Sequence, residues 1–229
     1  MPRELDLDER LKLAASFVRP NAVFADVGCD HGRLSVYLMQ QCNAARGYAC
    51  DIRPQPLDKA RQLLARKGLS DKVEAVLTDG LVGMEGKGIT DVIIAGIGGE
   101  VLAHIVEEAP FLKDPSVRII LQPQSKEHIL RRTLYHLGYR IEQEECVHAG
   151  RFLYTVMVVS YCGKEQEAND FFAYCGLLTE NSNELKQEKL RRTAATLAEI
   201  AVNMKNSPDK QGEYLQLDEL SRRILAAAQ

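Results

Sequence analysis

The sequence predicts an α/β fold: a doubly wound, mostly parallel sheet closed by an antiparallel hairpin and followed by a helical appendage. Three observations carry this prediction. Five short apolar runs alternate with helix-period segments between residues 22 and 137. The first run ends in Asp26-Val27-Gly28, an acid-and-glycine turn, and the second ends in an acid at Asp51. Two long strand-like stretches then flank Ala149-Gly150, after which no strand pattern follows.

From Leu5 to Val18 apolar residues recur at helical spacing, with Asp6 and Asp8 near the start, and Arg19-Pro20-Asn21 ends the helix. Strands are expected at 22–27, 46–51, 73–78, 91–96 and 117–122, and helices at 33–43, 55–67, 99–108 and 125–137. VIIAGI and RIILQ are apolar on both faces, as central parallel strands covered by helices must be. Gly138 closes the last of these helices, and 139–148 with 152–161 form the hairpin. Beyond Gly163 a helix near 166–180 is expected, then one from Asn183 to Lys205. A break at Asn206-Ser207-Pro208-Asp209 and a helix from Leu215 to Ala228 complete the chain. The division predicted is 1–163 for the sheet unit and 164–229 for the helical unit, the latter packed as an irregular hairpin of helices.

At 229 residues, 45% apolar and 27% charged, the composition is that of an ordinary globular protein able to bury a full core. The longest apolar runs fall short of the roughly 20 residues a membrane span needs, and the charged N-terminus does not read as a signal peptide. A cytoplasmic protein, monomeric or weakly dimeric, is expected. Six scattered cysteines without C-x-x-C spacing read as small buried hydrophobes, and no metal site is expected. A net charge of −3 leaves no global basic footprint. Local basic clusters remain, notably Lys186, Lys189, Arg191 and Arg192, readable either as phosphate contacts or as a solvated helix face.

The turn Gly28-Cys29-Asp30-His31-Gly32 carries the chemistry. A dinucleotide fold wants a third glycine where Asp30 stands, because a carboxylate there repels a pyrophosphate. The same carboxylate attracts the ammonium or sulfonium of S-adenosylmethionine, so charge favours a methyl donor. Asp51 is placed to accept from ribose hydroxyls, with an ordinary helix cap as the alternative. Asp79 and Gly80 end the third strand, where an adenine amino group and close backbone approach are expected. Ala95-Gly96-Ile97-Gly98-Gly99 ends the fourth at the ligand rim; so much glycine suits the approach of a base or methyl group, or a tight turn. Gln122 and Gln124, around Pro123, stand at the same rim as candidates for a base edge.

Taken in order, DVGCDHG at 26–32, DI at 51–52, TDGL at 78–81, AGIGGE at 95–100 and LQPQ at 121–124 resemble the bacterial tRNA (adenine-22-N1)-methyltransferase family. The likeness runs the length of the chain, with Gln124 standing where the family pattern suggests Asn. It implies a Rossmann-like, seven-stranded class I methyltransferase sheet, S-adenosylmethionine as cofactor, and tRNA held between the sheet's rim and the helical tail. The cofactor-binding set it implies is Arg10, Asp26, Gly28, Cys29, Asp30, His31, Asp51, Ile52, Asp79, Gly80, Ala95, Gly96 and Gly98. The substrate set is His31, Gly98, Gly99, Gln122, Pro123, Gln124 and the four basic residues of the tail.

Ring nitrogen 1 of adenine carries a free lone pair, so catalysis is expected to rest on positioning. Asp30 is the candidate to stabilise the cationic product. His31 has three possible roles: a donor carboxylate, the base, or a helix cap. Arg10 is open between a donor carboxylate, an RNA phosphate and a solvated surface position. The target base must leave its pair, and Phe152 or Tyr154 are candidates to stack on it, with core filling as the alternative. The rival readings are a small-molecule methyltransferase, a non-enzymatic RNA-binding module and a nicotinamide-dependent oxidoreductase.

Overall fold

The computed structural model describes residues 6–180, 183–205 and 211–229. One sheet of seven strands runs in the order β3-β2-β1-β4-β5-β7-β6. Its strands are β1 Val23–Val27, β2 Arg46–Asp51, β3 Val73–Leu77, β4 Asp91–Ile97, β5 Arg118–Pro123, β6 Tyr139–Ala149 and β7 Phe152–Tyr161. The first five are parallel to one another, and β7 enters antiparallel between β5 and β6. The strand order reverses direction between β1 and β4, the point at which α/β sheets open a crevice at their carboxyl ends.

Alternation along β4 explains its unbroken apolar run. Val92 and Ile94 face one core with α4 (Gly99–Glu107) and α5 (Glu127–His136), whereas Ile93 faces the other. That second core holds Phe24, Ala49 and Ile120 against α1 (Glu9–Ser16), α2 (Arg33–Gln41) and α3 (Pro54–Arg66). Helix α1 starts later than the apolar periodicity suggests, because Asp8 caps it: its Oδ1 accepts the Leu11 N–H at 2.8 Å.

The expected helix over 166–180 is shorter, α6 (Asp170–Cys175) followed by a 3₁₀ turn at Gly176–Thr179. Gly176 lies at φ +54°, where a side chain would strike the Glu144 carboxylate. Asn183 caps α7 (Glu184–Met204), accepting the Lys186 N–H at 3.0 Å. Helix α8 (Gln211–Ala227) begins ahead of Leu215, and the expected break at 206–209 lies outside the described residues. A third core joins Leu190, Leu197, Leu220 and Ile224 of these helices to Cys146 and Leu153 of the hairpin.

Beneath the tail lies a buried ionic cluster. Arg131 is fully buried; its Nε donates to Glu144 Oε1 at 2.9 Å and its Nη1 to the Ala173 carbonyl at 2.8 Å. Glu127 sits 3.5 Å from Arg131 Nη2 and accepts from Lys189 Nζ at 2.6 Å.

Four cysteines (29, 50, 146 and 175) are buried as expected, but Cys42 is half-buried and Cys162 exposed. Burial pushes the Cys50, Cys146 and Cys175 thiols up to about 12, which suits packing more than nucleophilic chemistry. Among the described residues no group of three or more His, Cys, Asp or Glu is placed to hold a metal, and no helix is long and apolar enough to cross a membrane.

Candidate active site

A cleft of about 550 Å³ opens at the carboxyl ends of β1, β2, β3 and β4. The turn after β1 forms its floor. Gly28 takes φ +74°, and the N–H groups of Gly28 and Cys29 both donate to the Cys50 carbonyl at 2.9 Å, folding the turn across β2. Asp30 also lies in the left-handed region, at φ +50°, which is uncommon for a side-chain-bearing residue. Gly32 is explained by packing: a Cβ there would stand 2.9 Å from the Ala60 Cβ. Gly32, and not His31, is the N-cap of α2, so the capping role considered for His31 is ruled out. His31 instead lines the cleft, with Nε2 3.2 Å from Lys59 Nζ and 3.6 Å from Asp30 Oδ1.

Asp51 ends β2 with its carboxylate almost wholly buried. Its Oδ2 accepts the Asp30 N–H at 3.2 Å and its Oδ1 the Arg53 N–H at 2.9 Å. Each oxygen retains acceptor capacity for a diol above it. Ile52 follows with 60% of its surface exposed, and Val101 on α4 is 52% exposed. Large apolar side chains left open on a cleft wall suit the faces of an aromatic ring. Ile105 completes this wall beneath Gly80, where a Cβ would lie 3.2 Å from the Ile105 side chain. Asp79 is exposed at the same end of the cleft.

Asp26 lies deeper. Only 4% exposed, it accepts from Ser35 Oγ at 2.6 Å, and burial pushes its carboxyl up to about 6, with the nearby Asp51 adding to the shift. Asp26, Asp30, Asp51 and Asp79 line the cleft together with Arg10, Arg33 and Arg53, a mixture of charges that suits a ligand carrying both signs better than a pyrophosphate.

The β4 end is organised by Arg10. The β4–β5 register shifts between Ala95 and Ile97, and Gly96 sits in that bulge at φ +81°. A Cβ on Gly96 would lie 2.9 Å from Arg10 Nη1, so this glycine makes room for the guanidinium. Arg10 Nη1 donates to Gln122 Oε1 at 2.6 Å, and its Cζ stands 5.6 Å from the Tyr154 ring centroid. Its side chain is only 15% exposed, so the solvated surface position is excluded.

Several expected substrate contacts are corrected here. Gln122 is fully buried: Oε1 also accepts the Gly96 N–H at 3.0 Å, and Nε2 donates to the Pro123 carbonyl at 2.7 Å. Its amide is consumed inside the protein, and Pro123 is buried beside it. Gly99 is also buried, because a Cβ there would collide with the Ser125 and Lys126 carbonyls. Gly98 is the half-buried N-cap of α4, and Gln124 is exposed on the cleft lining.

The tail's four basic residues do not form a free cationic patch. Lys186 is buried with its Nζ 3.1 Å from Glu145, and Lys189 is held by Glu127. Arg191 donates to the Ala228 carbonyl at 3.1 Å, which fixes the end of α8, and Arg192 pairs with Glu188 at 2.6 Å. The first two lie on the face of α7 that docks on the sheet unit. Phe152 is exposed and Tyr154 half-buried, so Phe152 does not fill the core. Sequence reasoning missed Leu11, Val101 and Ile105 as cleft residues; Val101 and Ile105 are one helical turn apart, a spacing that reads equally as core.

A seven-stranded sheet of this order, with a glycine-floored cleft of mixed charge at the ends of its parallel strands, defines an α/β methyltransferase. The chain belongs to the methyltransferase domain family, which it matches over residues 7–157. It is 28% identical to the tRNA (adenine(22)-N(1))-methyltransferase of Bacillus subtilis over 96% of this chain and 95% of that protein. The solved m1A22 tRNA methyltransferase of B. subtilis superposes with a TM-score of 0.83, at 25% identity, covering 98% of each chain. A Streptococcus pneumoniae protein solved in complex with S-adenosyl-L-methionine gives 0.81 at 26% identity, covering 96% of this chain and 100% of that one.

Proposed function

We propose that this protein is an S-adenosylmethionine-dependent tRNA methyltransferase that modifies ring nitrogen 1 of an adenine, adenosine 22 in the D-arm. The observation that carries the reading is the glycine-floored cleft lined by carboxylates and guanidiniums, in a chain similar along nearly its whole length to an enzyme of that specificity. When bound, S-adenosylmethionine supplies a methyl group on a positively charged sulfur.

The chain's own residues do the rest. Asp51 accepts the ribose hydroxyls while its backbone bonds hold the carboxylate in place. Ile52, Val101 and Ile105 would hold the adenine between apolar surfaces, with Asp79 and the open backbone at Gly80 as partners for its amino group. Gly28 gives close approach to the backbone, while Cys29 and Ala95 line the cleft beside it. Asp26, Asp30 and His31 would hold the charged amino-acid end, with Arg10 as the partner of its carboxylate. The acceptor nitrogen needs no general base, because its lone pair is free at neutral pH. Alignment is therefore the main catalytic resource, worth on the order of 7–11 kcal/mol when reactants are well oriented. The base leaves with an added positive charge, which the Asp30 carboxylate stabilises. Residues 1–163 form the donor-binding unit in this reading and 164–229 the helical unit. A tRNA substrate supports a cytoplasmic location.

The test is incubation with unmodified tRNA and methyl-labelled S-adenosylmethionine, followed by digestion to nucleosides. Labelled N1-methyladenosine is the expected product. Donor binding without labelled RNA would point instead to a small-molecule acceptor.

A further inference from the structure

A second cavity, of about 340 Å³, lies at the opposite end of β5 from the donor cleft. It is bounded by the residues after α1, the loop before β5 and the base of the β6–β7 hairpin. We propose that this cavity binds a small phosphate ester with free hydroxyl groups, a sugar phosphate by class. The proposal is independent of what fills the donor cleft.

Charge selects the anion. Three charged side chains line the cavity, Arg19, Arg118 and Glu142, and two of them are already compensated. Arg19 Nε and Nη2 donate to Oδ1 of the buried Asp91 at 2.9 and 2.8 Å. Glu142 Oε1 accepts from Arg140 Nε and Nη2 at 3.0 and 2.8 Å. Arg118 has no ion-pair partner among the described residues. Its one side-chain hydrogen bond there runs from Nη1 to the Phe17 carbonyl at 3.0 Å. The cavity therefore keeps an uncompensated positive charge. The bond to Phe17 also anchors the guanidinium, so Nε and Nη2 have less freedom to lose when they meet a ligand. A fork of N–H donors on an anchored cation fits phosphate oxygens two at a time.

The rest of the cavity suits more than a bare anion. Its volume lies within the roughly 300–1,000 Å³ range of small-ligand pockets. Arg118 begins β5, and Glu142 sits where the β6–β7 register shifts between Ile141 and Gln143. With β7 between β5 and β6, two strand spacings, about 10 Å, separate their backbones. Glu142 Oε2 accepts only from Arg140 Nη2, at 2.9 Å, among the described residues. Ser160 Oγ donates to Glu142 Oε1 at 2.6 Å and keeps its lone pairs. These oxygens are acceptors for hydroxyl groups, set on the far side of the cavity from the cation. Phe17, Pro115 and Val158 supply apolar wall for the carbon skeleton between the two ends.

The experiment is calorimetry on the full chain with ribose 5-phosphate as the probe. Wild type should bind it. Arg118→Gln should weaken binding by roughly 10- to 150-fold, the worth of a hydrogen bond to a charged group. Gln143→Trp alters an exposed residue of the lining and should block the cavity with every charge in place. If Arg118→Gln does not fold, Gln143→Trp carries the expectation alone. Inorganic phosphate should bind more weakly than the ester, and S-adenosylmethionine should bind both variants as it binds wild type. No heat from wild type with millimolar ester would overturn the proposal. Undiminished binding by folded Gln143→Trp would overturn it too, by putting the ester elsewhere on the protein. Equal affinities for phosphate and ester would deny the hydroxyl-binding end. A variant that loses tRNA binding while keeping ribose 5-phosphate would replace the small ligand with an RNA contact.

Discussion

Arg10 and Gln122, 112 residues apart in the chain, meet at 2.6 Å, and the same Gln122 oxygen accepts the Gly96 N–H at 3.0 Å. One buried amide thus sets both the bulge at the end of β4 and the guanidinium above it. Gln122→Ala would strand a backbone donor and a cation together. Each buried group left unsatisfied costs about 1–3 kcal/mol, so urea unfolding should show a loss of at least that size. Donor affinity should fall with it, and a variant of wild-type stability would deny the amide this role.

Asp51→Ala removes the acceptor expected to hold the ribose. Hydrogen bonds to a charged group contribute about 1.5–3 kcal/mol, so donor affinity should weaken by roughly 10- to 150-fold. Calorimetry reads this directly, and unchanged affinity would remove Asp51 from the donor site.

Burial raises the Asp26 carboxyl from 3.8 to about 6. The native state therefore keeps this proton to higher pH than the unfolded chain does. Between those two values the native state binds more protons, so the Asp26 contribution to stability falls as pH rises. Asp26→Asn should remove that slope and be more stable near pH 7 by up to about 3 kcal/mol, measured by urea unfolding across pH. A cationic donor favours the carboxylate, so wild type should release a proton on binding near pH 6. Calorimetry in buffers of different ionisation enthalpy would detect that proton, and identical heats would contradict it.

The Arg131 cluster is expected to answer differently to single and paired changes. Arg131→Ala leaves Glu144 buried without its partner and should cost about 3–5 kcal/mol in urea unfolding. Replacing Arg131 and Glu144 together by Met and Leu should recover most of that loss, because an apolar pair carries no desolvation penalty. Equal losses in the single and double variants would show that the cluster acts only through its bonds to the Ala173 and Tyr174 carbonyls.

How far the sequence speaks depends on whether a residue's partner is local. The five parallel strands and the closing hairpin follow from period and turn chemistry, and so does the placing of Asp26, Gly28 and Asp51 on one rim. Lys186 was legible in part: it precedes Leu190 by four residues and so shares its buried face on α7. Its partner Glu145 and the partner of Lys189, Glu127, lie on other elements, and no pattern within the helix announces them. Gln122 and Gln124 differ for the same reason, since only the fold brings Arg10 and Gly96 to the first. A glycine records that space is short without saying what takes it: at Gly96 it is Arg10, and at Gly99 the carbonyls before α5.

The β6–β7 hairpin is longer than any of the parallel strands, and its far end serves two masters. Ala149 and Gly150 line a small cavity beside the start of α1, while Cys146 and Leu153, three residues away on either side, are packed into the core of α7 and α8. Shortening the chain after Gly163 would bare Cys146 and Leu153 and strip Arg131 of its Ala173 and Tyr174 carbonyls, so the sheet unit depends on the tail to cover its own hairpin and to satisfy its own buried cation.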